Sequence, residues 1–279
     1  MLVCGIAVLD HVHLVDALPS GGVKHRSHAL RMIGGGCAAN AAVAIARLGG
    51  EAVLATRLGD DAAGRWLADA LASQGVRLLS PLVPGAQTPQ SAVMVDPEGE
   101  RMIVNFRGAG LPDTPPELPP CDAVLADTRW SAGAQAALAA ARDRGVPGIL
   151  DGEAPVGPEA GIASHVVFAA QGLRDFAGEG DLDAALAATD LPGRVAYTDG
   201  AAGVVWRDGP RIAPPSVTVV DTLGAGDVWH GAFALALARG EGLDAASRFA
   251  NGAAATKCGR AGGWDVYPTA RDLASQEEP

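Results

Sequence analysis

Short runs of β-branched and aliphatic residues alternate along this chain with longer segments in which small apolar residues recur at helical spacing. Strands are predicted over Leu2–Val8, Ala52–Thr56, Ala123–Ala126, Gly148–Leu150, Val166–Phe168 and Arg194–Thr198. Helices are predicted over Ala38–Leu48, Arg65–Gln74, Ala132–Arg144, Leu182–Ala188, Ala225–Ala238 and Asp244–Thr256. This alternation is the βαβ signature of a largely parallel sheet covered by helices, so the expected fold class is α/β and doubly wound.

Two segments break the alternation. Within SAVMVDPEGERMIVNF, Asp96-Pro97-Glu98-Gly99 joins two β-prone runs, with glycine supplying the positive φ that the turn needs. Together with His11–Val15 and Ser27–Ile33 these runs give four short strands, enough for a small β-sheet lid over one end of the α/β body, built from discontinuous segments near 11–33 and 89–108. The Pro-rich run Leu111–Pro120 reads as the linker returning to the body. There is no internal repeat, and 279 residues suit a single domain, 1–279.

Composition narrows the function classes. At 48% hydrophobic and 19% charged the chain reads as globular, and a formal charge of −11 leaves no basic footprint for nucleic acid or an anionic membrane. Small molecules or proteins are the partners expected. Cys4, Cys37, Cys121 and Cys258 form no CxxC pair and read as reduced, cytoplasmic thiols. MLVCGIAVLD lacks a basic n-region and meets Asp10 too early for a signal peptide, and no run approaches the roughly 20 apolar residues of a membrane span.

Candidate chemistry concentrates at two glycine-rich places. In DTLGAGDVWHGAF, Asp221–Phe233, Gly224-Ala225-Gly226 falls where a strand predicted over Val217–Val220 gives way to a helix, so backbone N–H groups can converge on an anion beside the Asp227 carboxylate. A helix N-cap is the structural alternative for Asp227. In IGGGCAANAAVAIARLGG, Gly35 and Gly36 permit close backbone approach to a ligand, and Asn40 can donate to and accept from hydroxyls. Gly34-x-Gly36 before a helix with Asp60 beyond also admits a dinucleotide site, although the first βα turn does not carry it. His11 and His13 share a strand face but have no third metal ligand nearby. His230, one turn after Asp227, reads as a packed helix residue within reach of it. There is no Walker A motif.

The two glycine-rich segments, D-T-x-G-A-G-D-x-x-x-G-A-F near one end and G-G-x-x-x-N with R-L-G and G-x-D-x-x-G near the other, resemble the paired signatures of the PfkB, or ribokinase-like, carbohydrate kinases. The resemblance spans nearly the whole chain. It implies a ribokinase-like fold with helices on both faces of the sheet, and transfer of the ATP γ-phosphoryl group to a sugar hydroxyl. By it, Asp227 is the general base, Gly224, Ala225 and Gly226 stabilise the phosphoryl charge, and Asp10 binds sugar hydroxyls with Gly35, Gly36 and Asn40. ATP contacts map onto Thr198, Gly200, Gly203 and Asn251, Thr198 being equally an ordinary strand end. The family's N-x-x-E is replaced by Ala169 and Gly172, so Asp151 and Glu153 are the alternative Mg²⁺ ligands, a polar loop being the other reading. A monovalent cation, and a homodimer meeting through the lid, are compatible with the family.

Within the family, GIAVLDHV, SAVMVDPEGERMIVNF, VLADTRW and AATKCGRAGG are similar to the kinases of 6-deoxy-6-sulfofructose, which act on the 1-hydroxyl. That resemblance assigns the sulfonate to Arg129, whose fork suits paired oxygens, helped by Lys24 and Asn105; Arg107 is a further candidate. The alternatives are a pairing of Arg129 with Asp127 or another acid, a neutral sugar such as fructose, ribose or 2-keto-3-deoxygluconate, and a non-catalytic binding relative.

Overall fold

The computed structural model describes residues 1–178 and 180–274. Nine strands form the body sheet: β1 (Leu2–Cys4), β4 (Ala52–Ala55), β5 (Val76–Leu78), β8 (Val124–Asp127), β9 (Gly148–Asp151), β10 (His165–Ala169), β11 (Arg194–Thr198), β12 (Val204–Trp206) and β13 (Arg211–Ile212). Their order is β13-β12-β11-β10-β9-β8-β1-β4-β5, parallel from β11 to β5 and antiparallel across the β11-β12-β13 edge. Successive crossovers run one way from β1 to β4 and the other way from β8 onward, so the direction of winding reverses beside β1. Ligands collect at such a switch, outside the carboxyl ends of the strands.

Helices α1 (Cys37–Arg47), α2 (Ala62–Ser73), α6 (Ala225–Ala238) and α7 (Leu243–Cys258) cover one face, while α3 (Ser131–Arg144), α4 (Ala170–Ala177) and α5 (Leu182–Ala187) cover the other; α8 (Ala270–Ala274) packs on α7. β1 shows the division: Val3 joins the first core, Leu2 and Cys4 the second, as period-two alternation requires. The alanine-rich face of α1, with Ala38, Ala41, Ala42 and Ile45 buried, lets it pack against α6. That contact joins the two glycine-rich segments.

The lid is a four-stranded sheet, β3 (Ser27–Gly35), β2 (Val8–Val15), β6 (Gln90–Val95) and β7 (Arg101–Phe106), in the order β3-β2-β6-β7. Its outer pairs are antiparallel and its central β2-β6 pair is parallel. The register separates two faces. Asp10, Ser91 and Asn105 lie side by side on one, and Met32, His11, Ala92 and Val104 on the other.

The structure corrects several expected boundaries. The strand predicted over Leu2–Val8 is divided, because Gly5 and Ile6 carry the chain from body to lid, with the Gly5 N–H donating to Ala55 and the Ile6 N–H to Asp127. The lid therefore begins at Val8 and its segments are 8–35 and 90–106. Val217–Val220 forms no strand: the sheet ends at β13, and this stretch instead lies on the end of α7, where the Val220 and Asp221 N–H groups both donate to the Cys258 carbonyl. β5, α4, β12 and β13 lie outside the predicted elements.

Candidate active site

The carboxyl ends of β1, β8 and β9, the first face of the lid and the segment before α6 enclose a cavity of about 1100 Å³. Asp127, buried at the end of β8, accepts backbone N–H bonds from Ile6 (2.8 Å), Ala38 (3.1 Å) and Arg129 (2.8 Å). One carboxylate thus pins the exit from β1, the start of α1 and the exit from β8. Burial raises its pKa to about 7, against the three N–H donors that favour the charged form.

Asp227 stands in the first turn of α6, whose N-cap Gly224 has φ 75°. A side chain at Gly224 would overlap the Tyr267 hydroxyl, so both conformation and space demand glycine there. Ala225 N–H bonds Thr222 and Val228 N–H bonds Gly224, leaving the N–H groups of Gly226 and Asp227 without an acceptor among the described residues. The space beside Gly226 is open. These groups and the helix dipole form a ready anion site.

The Asp227 carboxylate is held by Asn40, whose Nδ2 donates to Oδ2 at 2.6 Å, and Asn40 Oδ1 in turn accepts from Trp264 Nε1 at 2.7 Å. Burial, then the charge of Asp151, holds Asp227 well above the ordinary carboxylate range, while the Asn40 bond acts in the opposite direction. Ligand atoms of Asp227, Asp151 and Cys37 lie within 4.8 Å of one another, and Asp151 lies 3.7 Å from His230. His230 also meets the carbonyls of Gly226 (2.8 Å) and Val167 (3.2 Å), which fixes its ring between α6 and the sheet.

Asp10 projects from the lid beside Ser91, its pKa raised by burial and lowered by the Ser91 bond. A methyl group at Gly35 would fall on the Asp10 carboxylate, so any larger residue there would displace that side chain. The arrangement sets the Asp10 carboxylate in the cavity wall and, just beyond the 221–223 part of that wall, the buried Asp227 carboxylate beside the open helix end. Such a set suits proton abstraction from a hydroxyl coupled to movement of an anionic group.

A family model described as pfkB family carbohydrate kinase matches residues 1–270. The chain belongs to the pfkB family of carbohydrate kinases. As a pfkB-family member it is an ATP-dependent carbohydrate kinase with the ribokinase-like fold. It is similar to the ribokinase of Bacillus subtilis, 30% identical over 97% of each chain, and to an ATP-dependent ribose-1-phosphate kinase of Halopiger xanaduensis, 30% identical over 94% of this chain and 92% of that one. Among solved structures, a putative ribokinase from Agrobacterium tumefaciens superposes with a TM-score of 0.87 at 34% identity, covering 99% of this chain and 96% of the other.

Within this pfkB fold the expected residues are placed unevenly. Asp10, Gly36, Asn105, Arg129 and Glu153 line the cavity, and so do Arg31, Arg101 and Arg107. Arg129 is mostly buried, its guanidinium paired with Glu153 and donating to the Ala154 carbonyl at 3.2 Å. Glu153 is thereby engaged by a cation, which leaves Asp151, beside Asp227, as the better-fitting oxygen donor for a divalent ion. Arg101 reaches from β7 to Thr222 Oγ1 at 3.4 Å and so joins the lid to the segment before α6.

Three expected residues lie in other surroundings. Lys24 lies in the exposed connection 16–26 and is not among the residues that line the cavity. Asn251 is buried, accepting from Trp229 Nε1 (2.8 Å) and donating to the Ile212 carbonyl (2.9 Å), so its polar atoms serve packing of α7 against α6 and β13. Gly203 lies against the backbone of Ile212 and Ala213, a strand-approach position. Thr198 ends β11, and Gly200 follows it with open space beside it. Sequence reasoning gave Asp127, Ser91 and Trp264 no role in the site. Ser91 alone had a signal, the alternation that puts it on the Asp10 face; Asp127 and Trp264 depend on pairings across the fold.

Proposed function

We propose that this kinase transfers the ATP γ-phosphoryl group to a hydroxyl of a sugar bearing an anionic group, with the 1-hydroxyl of 6-deoxy-6-sulfofructose as the specific acceptor. The observation that carries the transfer chemistry is Asp227, oriented by Asn40 beside the free N–H groups of α6. Asp227 takes the hydroxyl proton; Gly224, Ala225 and Gly226 set the N–H groups that meet the phosphoryl charge; and Asp10 and Asn105 hold the sugar. Asp151 would hold Mg²⁺, which would neutralise charge on the phosphates. Thr198 and Gly200 border the nucleotide.

The anionic group is read by cations of the cavity. Arg129 is mostly buried, and Arg31, Arg101 and Arg107 also line the wall, among the carboxylates of Asp10, Glu98, Glu153, Asp221 and Asp265. A relative named as a ribose-1-phosphate kinase accords with a charged sugar. A neutral pentose or hexose is the second reading, favoured by the pairing of Arg129 with Glu153, which already satisfies the guanidinium. Turnover of sulfofructose, fructose, ribose and fructose 6-phosphate with Mg-ATP decides: preference for the anionic sugars supports the proposal, and preference for ribose or fructose overturns it.

The outer lid face leaves Leu30, Met32, Met102, Val104 and Phe106 between 37% and 62% exposed, and we take it as a homodimer contact. Four free thiols suit a reducing, cytoplasmic compartment.

A further inference from the structure

Lys257, in the last turn of α7, has a side-chain exposure of 0%, although lysine is among the residues least often buried. Its ammonium is fully desolvated, and three oxygens surround it: Asp221 Oδ2 at 3.0 Å, the Asp221 carbonyl at 3.1 Å and the Arg260 carbonyl at 3.4 Å. The Asp221 carboxylate also accepts the Leu223 N–H at 2.9 Å and is bonded by the Gly262 backbone. The buried cation therefore fastens the end of α7 and the 260–262 turn to the segment 221–223. That segment leads directly into Gly224, the cap of α6, and hence into the N–H groups beside Asp227.

Burying an ion pair is a costly way to gain stability, because desolvation offsets most of the attraction. What it secures is position. A carboxylate and two carbonyls converging on one point are also the hard oxygen donors that a soluble monovalent metal ion selects. An ammonium tethered at that point does the same electrostatic work without leaving.

We infer that Lys257 is a built-in cation, a positioning residue that sets the 221–224 segment and frees the enzyme from any added monovalent ion. The inference rests on the kinase reading only for its activity readout. Wild-type turnover is expected to be the same, within about twofold, in potassium, sodium and tetramethylammonium buffers. Lys257→Ala is expected to lose about tenfold or more, since small misplacements of a catalytic geometry are amplified in rate. Added potassium or methylammonium then restores the rate in the variant and does nothing to wild type, a pattern that a merely structural lysine would not give.

Amide hydrogen exchange of residues 220–226, followed without substrate, reads the same event independently of any activity. Protection is lost in Lys257→Ala and regained with the added cation. A wild-type enzyme activated more than about fivefold by potassium over tetramethylammonium overturns the inference. So does a folded Lys257→Ala variant with unchanged exchange, or one that no cation rescues. If the variant does not fold, the wild-type comparison alone decides. Failure of every sugar to turn over, with exchange still responding to the cation, would contradict the kinase reading and leave the lysine's role supported.

Discussion

Asn40 Nδ2 lies 2.6 Å from Asp227 Oδ2, joining two residues 187 positions apart at the crossing of α1 and α6. The bond favours the charged carboxylate against burial and the neighbouring Asp151. In Asn40→Ala the pKa of Asp227 therefore rises further. A general base must be deprotonated, so activity falls as pH drops through that pKa, and the acid limb of kcat/KM moves to higher pH in the variant. The rate at neutral pH is expected to drop about ten- to a hundredfold, the cost of losing one hydrogen bond to a charged group.

Gly35 and Asp10 give a second test. The methyl group of Gly35→Ala would occupy the place of the Asp10 carboxylate, and relieving such overpacking costs about 1–3 kcal/mol. KM for the sugar is expected to rise while the affinity for ATP, measured by calorimetry, stays within about twofold of wild type. Equal losses of both would contradict the assignment of Asp10 to the sugar.

The anionic-substrate reading turns on Arg129. Arg129→Ala is expected to raise KM for sulfofructose about tenfold or more and to leave fructose kinetics nearly unchanged. Glu153→Gln, which removes the competing carboxylate, is expected to lower KM for the anionic sugar. Unchanged sulfofructose kinetics in Arg129→Ala would favour the neutral-sugar reading.

For the lid, Val104→Asp places a charge in the exposed apolar row formed with Met32. Light scattering is expected to give a dimer for wild type and a monomer for the variant. A monomeric wild type would contradict the proposed contact.

Much of this was legible in the sequence because it is local. The alternation of strands and helices, the 96–99 turn and both glycine-rich segments depend on residues within one or two turns of each other. Asp227 and Asn40 were therefore recognisable as candidate site residues before their neighbours were known, and Asp10 through the family resemblance. What escaped depends on distant pairings. Val217–Val220 has strand composition but finds no partner beyond β13, so it docks on α7 instead. Asn251 shows the reverse: the family resemblance implies an ATP contact there, whereas in the fold its polar atoms bond Trp229 and the Ile212 carbonyl. Asp127 carries no motif, since its function comes from three N–H groups that only the folded chain assembles.

The most direct test of the kinase chemistry is phosphoryl transfer from ATP to the sugar panel by wild type and Asp227→Asn, with nucleotide binding measured on both. Wild type is expected to phosphorylate at least one sugar, and the variant to lose about a hundred- to ten-thousandfold in turnover while binding ATP normally. Turnover in Asp227→Asn close to that of wild type would contradict the assignment of Asp227 as the base.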